Sequence, residues 1–509
     1  MSDGSAAPSE SGDGSETPSA PAPPPAAPKT KPSFVRRHKK KLIALGVILL
    51  LPFVLHVVVG WATRIAPPTL PDLTAAHLTT ENGVVHVGKS YKRMRGKILE
   101  VRLVGTPAEI GDAHSKLLHD EMVASEGAVY TAFEKYVPLS PVRHFMVDLG
   151  KMRFRHLDQG ISTDRFVEIA AQARAFDPDP FEGYIPTFQR FIYLQSLYDI
   201  SLSFEHSPLL GCTSFVATRK ATADSHTYLA RNFDFEAGPI YDERKTLFLV
   251  EEDGKIPYAS VAWPGFIGAV SGINAKGVSV VIHGGRARET SEQGEPVVQT
   301  TRAILGEAST LDEAIAIAEK RRPMVSHILI VADASGRAAA IERAPGEPPY
   351  VRAMDGDTLA VTNHFEGPFA SDPKNQSVRQ HTSTVLRRDR LDELLAGASA
   401  LTPEAMVAIL RDKKGTGGAD RPLGNRGVID AVIATHAVVM DSTASVLWVS
   451  EGPHLMGRFV RFDLAHLLDP SFEPTADEPV TSIAEDPALT DGTYDAWVKA
   501  GSKHPGIAK

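Results

Sequence analysis

The chain holds one cysteine, Cys212, in the run Leu210-Gly211-Cys212-Thr213-Ser214. A single thiol can form no intramolecular disulfide and supplies no thiolate cluster for zinc, so any chemistry it does is that of a lone nucleophile. After a turn at Asp224-Ser225-His226 comes Ala230-Arg231-Asn232-Phe233-Asp234-Phe235. A guanidinium beside the sulfur would favour thiolate over thiol, and a carboxylate could hold and orient an amine. From the residues alone two meanings stay open: a nucleophile with two supports, or a packed small hydrophobe and a surface Arg–Asp pair. Other hydrolytic chemistries find no foothold. The chain has no Gly-x-Ser-x-Gly elbow and no His-Glu-x-x-His zinc motif. His114 and His119 lie five apart, off the spacing of a metal pair on one helix face, and are expected in solvent or core packing. No metal and no cofactor is expected.

These residues need strands to hold them. An apolar helix at about 185–203 leads to the cysteine, and β-rich runs follow at 214–217, 228–232, 246–251 and 258–263, the last two joined by a turn at 252–255. Hairpins recur at 327–343 and 437–449, with further strands at 278–282 and 358–362. Together these suffice for two antiparallel sheets. Upstream, 98–104 alternates apolar and charged residues as a strand, and Thr106 then caps a helix with Pro107 at its first position, running to about residue 136. Helices are also expected at 301–307, at 311–320 with Thr310 and Glu313 as a capping box, at 384–395, and at 403–411 capped by Thr402. The mixture, without a linker, reads as one α+β domain.

The 509 residues carry 54 Lys plus Arg against 62 Asp plus Glu, a net charge of -8 that offers no nucleic-acid-sized basic field. Residues 1–35, rich in Ser, Ala, Pro and Gly, read as a disordered cytoplasmic tail. Residues 36–65 read as a basic flank and a transmembrane anchor: Arg36, Arg37, Lys39, Lys40 and Lys41 precede an apolar stretch at 42–62 long enough to span a bilayer. By the positive-inside rule the N-terminus is cytoplasmic and the body lies outside, in the periplasm or exterior. A cleaved secretory signal is the alternative, although its apolar run would exceed the usual length of about 7–15 residues. The tail after Asp469 is expected to wrap the surface or move.

The motifs, taken together, resemble a family. Leu210 to Ala217 followed by Ala230 to Phe235 is similar to the N-terminal-nucleophile (Ntn) hydrolases of the isopenicillin-N acyltransferase-like group, relatives of acid ceramidase and the choloylglycine hydrolases. Gly105-Thr106-Pro107-Ala108-Glu109-Ile110-Gly111 resembles the group's opening segment. Gly272-Ile273-Asn274-Ala275-Lys276-Gly277-Val278 resembles its central strand entry, and Thr362-Asn363-His364 and the hairpin from Thr435 to Trp448 also fit. The resemblance implies a four-layer αββα sandwich of two antiparallel sheets, made as a precursor that cuts itself between Gly211 and Cys212. Residues 66–211 would be the pro-region or α-chain, 212–470 the catalytic β-chain core, and 471–509 a C-terminal extension.

The resemblance also implies roles. Cys212 would be the nucleophile with its new α-amine as base, Arg231 would support the thiolate, Asp234 would bind the amine, and Asn363 would donate to the oxyanion. A later arginine of the family falls in Arg387-Arg388-Asp389-Arg390, with Arg387 favoured over Arg388. Some relatives place an oxyanion asparagine where this chain has Ile282-His283-Gly284-Gly285, so His283 or a backbone N–H substitutes, or that group is missing. Asn232, His283 and Gly284 are thus candidate oxyanion or substrate contacts. The expected function is a membrane-anchored, self-processing amidase or acyltransferase that forms a thioester on Cys212 from a small N-acyl amide. Its partners would be that substrate and the lipid bilayer, with α- and β-chains from one precursor. The alternative is a catalytically silent binding or scaffold module on the same fold.

Overall fold

Local signals in the sequence build the elements around the site. In the computed structural model, which describes residues 34–73, 76–203, 210–236 and 238–502, the alternating run becomes the strand Ile98–Gly105. The Thr106 hydroxyl then accepts from the Glu109 N–H while the Glu109 carboxylate accepts from the Thr106 N–H at 2.8 Å, a reciprocal cap on the helix Pro107–Tyr136. Ile110, Leu117, Leu118 and Met122 of that helix are buried. The expected helix at 185–203 is two helices, Thr187–Gln195 and Leu197–Leu202, broken at Ser196. The strands Leu78–Glu81, Val84–Val87 and Ser90–Arg95 and the helices Ser140–Arg153 and Thr163–Ala175 were not expected from the sequence.

Two sheets result. The larger has eleven strands and runs from Leu78–Glu81 through Ile98–Gly105, Thr246–Glu252, Tyr258–Ala262, Ser271–Asn274, Ser279–Gly284, His327–Ala332 and Ala338–Arg343 to Tyr350–Ala353. The smaller has seven strands, in the order Thr358–Val361, Leu210–Ala217, Tyr228–Phe235, Ala434–Asp441, Val446–Ser450, Phe459–Asp463 and Ser482–Ile483. Pairing is antiparallel except between Ile98–Gly105 and Thr246–Glu252, which run parallel. Alternation fixes which face of a strand is buried but not its direction, and a long connection leaves either direction open.

One face of each sheet packs on the other. Val216, Leu229, Val438 and Met440 of the smaller sheet meet Leu247, Leu249, Val261 and Ile330 of the larger in one core. Helices cover both outer faces. Leu391, Leu395, Met406 and Leu410 pack on Phe215, Ala230 and Val439, while Ile110, Leu117, Ile169 and Ile304 pack on the outer side of the larger sheet. Residues 58–509 form one compact unit. The 66–211 segment contributes the strand Ile98–Gly105 to the larger sheet, and the 471–509 segment adds Ser482–Ile483 to the smaller one. Both segments thus share sheets with residues 212–470.

The helix Phe34–Ala62, most of which lies in the N-terminal unit of residues 1–57, includes the stretch His38–Ala62, 25 residues long and apolar enough to cross a membrane by length and composition. The expected disordered tail falls, up to residue 33, outside the described residues.

Candidate active site

Strand register creates the site. Leu210–Ala217 lies between Thr358–Val361 and Tyr228–Phe235, with Gly211 opposite Asp234, Cys212 opposite Phe233 and Ser214 opposite Arg231. Arg231, fully buried, reaches across to the larger sheet, where it donates to the carbonyls of Val270 at 2.9 Å and Ile282 at 2.8 Å and to the Ser271 hydroxyl. One of its nitrogens lies 3.4 Å from the Cys212 Sγ, and its guanidinium carbon sits 4.1 Å from the centre of the Phe233 ring. A buried cation satisfied by neutral carbonyls keeps its full charge for the sulfur.

The backbone of Cys212 is clamped on both sides. Its N–H donates to Asn363 Oδ1 at 2.7 Å, and its carbonyl accepts from Arg387. Arg387 also donates to Thr213 Oγ1 at 2.8 Å and to Asn363 Oδ1 at 2.9 Å. Asn363 follows the edge strand Thr358–Val361; its own N–H donates to Thr384 Oγ1 at 2.8 Å and its Nδ2 donates to the Gly284 carbonyl at 3.1 Å. Arg388, one residue on, turns away to Asp392 and Glu366. The pair that sequence left partly open is thus separated by the helix Thr384–Leu395, which buries one arginine and not the other.

Burial pushes the Cys212 thiol above its ordinary range, opposed first by Arg231. Burial likewise pushes the Asp234 carboxyl up to about 7, with Arg387 the largest opposing charge. Asp234 sits against the scissile-bond candidate: a Cβ on Gly211 would lie 3.0 Å from Asp234 Oδ2. His283 is held far below its usual range by burial and by Arg231, and is neutral. Its Nδ1–H donates to the Thr362 carbonyl at 3.0 Å, which leaves Nε2 to accept from the Ser214 hydroxyl at 2.6 Å. With both ring nitrogens engaged, His283 is not brought to the cavity. Asn232 is not either, because it lies on the helix-facing side and donates to the carbonyls of Leu410 and Ile429. Of the three candidate contacts, Gly284 alone lines the cavity.

That cavity, about 640 Å³, is bordered by Gly211, Asp234, Asn363 and Arg387 and walled by Leu202, Val325, Val378 and Ile433. Cys212 itself is fully buried beneath it. Two contributors went unseen in the sequence. Leu202 lies so close to the end of the central strand that a Cβ on Gly284 would come within 2.9 Å of it, and Tyr198 brings a buried hydroxyl with no partner among the described residues to 3.7 Å from the same point. Helical spacing alone cannot say which apolar residue of 197–202 meets a distant strand. His114 and His119 are engaged separately: His114 is buried and accepts from the Gly265 N–H at 2.9 Å, while His119 meets Asp120 and the Pro178 carbonyl. Asp224, His226 and Asp441 cluster closely enough for a cation, at the end of the Tyr228–Phe235 strand opposite Asp234. They also bond one another and Tyr228.

Residues 221–417 match the family model described as acyl-coenzyme A:6-aminopenicillanic acid acyl-transferase. The matched span contains Arg231, Asp234, Asn363 and Arg387 and begins after Cys212. The resemblance to the acyltransferase-like Ntn hydrolases thus rests on a family match as well as on motifs. No curated protein sequence matches the chain. Among solved structures, an N-acylethanolamine-hydrolyzing acid amidase ortholog of Caenorhabditis elegans is 18% identical over 46% of this chain and 93% of its own, with a TM-score of 0.34. A mutant conjugated bile acid hydrolase from Clostridium perfringens is 11% identical, covering 54% and 97%, with a TM-score of 0.36. Penicillin V acylase from Agrobacterium tumefaciens is 15% identical, covering 54% and 98%, with a TM-score of 0.33.

Proposed function

We propose that this protein is a membrane-anchored, self-processing cysteine Ntn hydrolase or acyltransferase acting on N-acyl amides. One observation carries the reading: Cys212 has a cation on its sulfur while its N–H and C=O are both held, by Asn363 and Arg387. A merely packed cysteine needs none of these charged partners.

Self-processing would begin with the Cys212 sulfur attacking the Gly211 carbonyl carbon. The C–N bond breaks, a thioester forms, and the departing nitrogen gains a proton to become the α-amine of Cys212. Water then cleaves the thioester, leaving a carboxylate on Gly211 and a free thiol. Asp234, buried beside Gly211 and titrating near neutrality, suits the proton transfers of this step. Afterwards the α-amine is the base for its own thiol, and Asp234 and the Asn363 oxygen are placed to orient it. An incoming amide would acylate Cys212 by the same bond exchange: its acyl carbon bonds to the sulfur as the C–N bond breaks, and the departing nitrogen takes a proton and leaves as the amine. The Asn363 Nδ2–H group is the candidate donor to the tetrahedral oxyanion. Water as acceptor gives hydrolysis; a second amine gives transfer. The apolar helix would cross the membrane with the basic residues before it in the cytoplasm and the enzyme outside.

The test is acyl-enzyme trapping. Cut protein mixed with a generic N-acyl amide and quenched should carry one acyl group on Cys212 that hydroxylamine removes. Cut protein that neither gains the acyl mass nor releases amine supports the scaffold reading instead.

A further inference from the structure

The helix Ser140–Arg153 is built inside out. Its inward residues are Asp148 and Lys151, ion-paired at 2.9 Å, whereas Val142, Phe145, Met146, Leu149 and Met152, with Leu139 just before them, are between 42% and 65% exposed. Spaced by three and four residues, these side chains form one continuous apolar face. A helix of a water-facing protein turns such a face inward, and a contiguous exposed one marks a contact surface.

We infer that this face lies in the surface of the bilayer that the N-terminal helix crosses, as a second membrane contact of the catalytic body; the inference rests on the anchor proposed above. Three observations choose lipid as the occupant. First, no slack follows the apolar helix: Thr63 and Ile65 are already buried in the body, and the Thr63 carbonyl accepts from Gln189 at 2.8 Å. A spanning helix would hold the body against the headgroups. Second, the inside-out helix adjoins that root. His144 stacks on Tyr184 with ring centres 6.1 Å apart, and Tyr184 lies five residues before the Gln189 that holds Thr63. Third, exposed cations flank the helix: Lys135 lies five residues before it, Arg155 two residues after it with its guanidinium donating to the Met152 carbonyl at 2.8 Å, and Arg153 at its end pairs with Glu292; cations beside an apolar helix face complement anionic lipid. An interfacial helix of this kind buries its apolar side about 5–10 Å into the headgroup and acyl boundary. The contact would set the cavity at a fixed height over the membrane, suited to amides that carry an acyl chain in the bilayer.

The experiment uses full-length Cys212→Ala protein in vesicles of phosphatidylcholine with phosphatidylglycerol. One new cysteine at a time carries an environment-sensitive fluorophore: Leu51→Cys in the apolar helix, Phe145→Cys or Leu149→Cys on the face, or Glu404→Cys on an exposed site across the body. Lipids bearing a quencher in the acyl chain should extinguish the probes at 51, 145 and 149 and spare the one at 404. Quenching at 51 without quenching at 145 and 149 overturns this contact and leaves the anchor standing. Quenching at neither overturns both. Quenching at 145 and 149 without 51 removes the anchor and with it the inference that rests on it. Probes at 145 and 149 shielded from aqueous iodide yet untouched by the lipid quencher mean that a protein, such as a second copy, covers the face, which also overturns the inference.

Discussion

Removing the charge of Asp234 should make the uncut chain more stable, and increasingly so as pH rises. Burial lifts this carboxyl from its ordinary 3.8 to about 7, against the pull of Arg387 and Arg231. A carboxyl whose folded pKa exceeds its unfolded one favours folding fully below pH 4, where both states are protonated, and this contribution is lost as pH climbs through about 7. The shift corresponds to a cost of the order of 4 kcal/mol for holding the ionised carboxylate in the folded precursor above neutrality. The perturbation is Asp234→Asn in a Cys212→Ala background, so that no cutting intervenes. Urea unfolding of both proteins from pH 4 to 8 reads the effect. The variants should differ least at the acid end and diverge toward pH 8, with the asparagine protein gaining up to a few kcal/mol. Equal pH dependence in the two would refute the argument, because Asp234 would then be solvated or fully paired in the precursor. The cost would be relieved if cutting delivered an α-ammonium to Asp234. In cut enzyme the same substitution should instead shift the pH profile of acylation.

Other outcomes follow from the same geometry. Asn363→Ala in cut enzyme should lower turnover by about two to three orders of magnitude with a smaller effect on substrate binding, measured as separate kcat and KM. Arg387→Ala leaves the Cys212 carbonyl and Thr213 hydroxyl without their donor, which should cost about 1–3 kcal/mol and slow self-cutting on a gel time course. Arg388→Ala, which loses only bonds to Asp392 and Glu366, should change stability by less than about 1 kcal/mol and leave cutting intact. In cell fractions the protein should be released from membranes by detergent and resist high salt; release by salt alone would remove the anchor.

Much of the site could be read in sequence because neighbouring strands carry it. Cys212 and Asp234 lie on consecutive antiparallel strands joined by residues 218–227, which include the short helix Arg219–Ala221, so their adjacency was legible but the register that sets Gly211 opposite Asp234 was not. Arg231 needed more than that: its hydrogen bonds go to Val270, Ser271 and Ile282 on the other sheet, and no local pattern foretells them. Caps were legible for the same local reason, as at Thr106 and Thr310. Asn232 misled because its neighbours Arg231 and Phe233 face the inter-sheet space, and alternation sends it to the helices instead. His283 misled because an imidazole at a strand end invites chemistry, whereas its two ring nitrogens are engaged by Thr362 and Ser214. The strands Leu78–Glu81 and Val84–Val87 escaped because four residues are too few to show a period, whereas the three- and four-residue apolar spacing of Ser140–Arg153 is a legible helical signal.

Whether Cys212 cuts its own chain is read out by intact mass and N-terminal sequencing of purified protein. Wild-type material should contain a chain of roughly 32 kDa whose first residue is Cys212, and Cys212→Ala should remain one chain. Folded wild-type protein that stays whole, or a variant without the thiol that is cut at the same bond, would contradict the account.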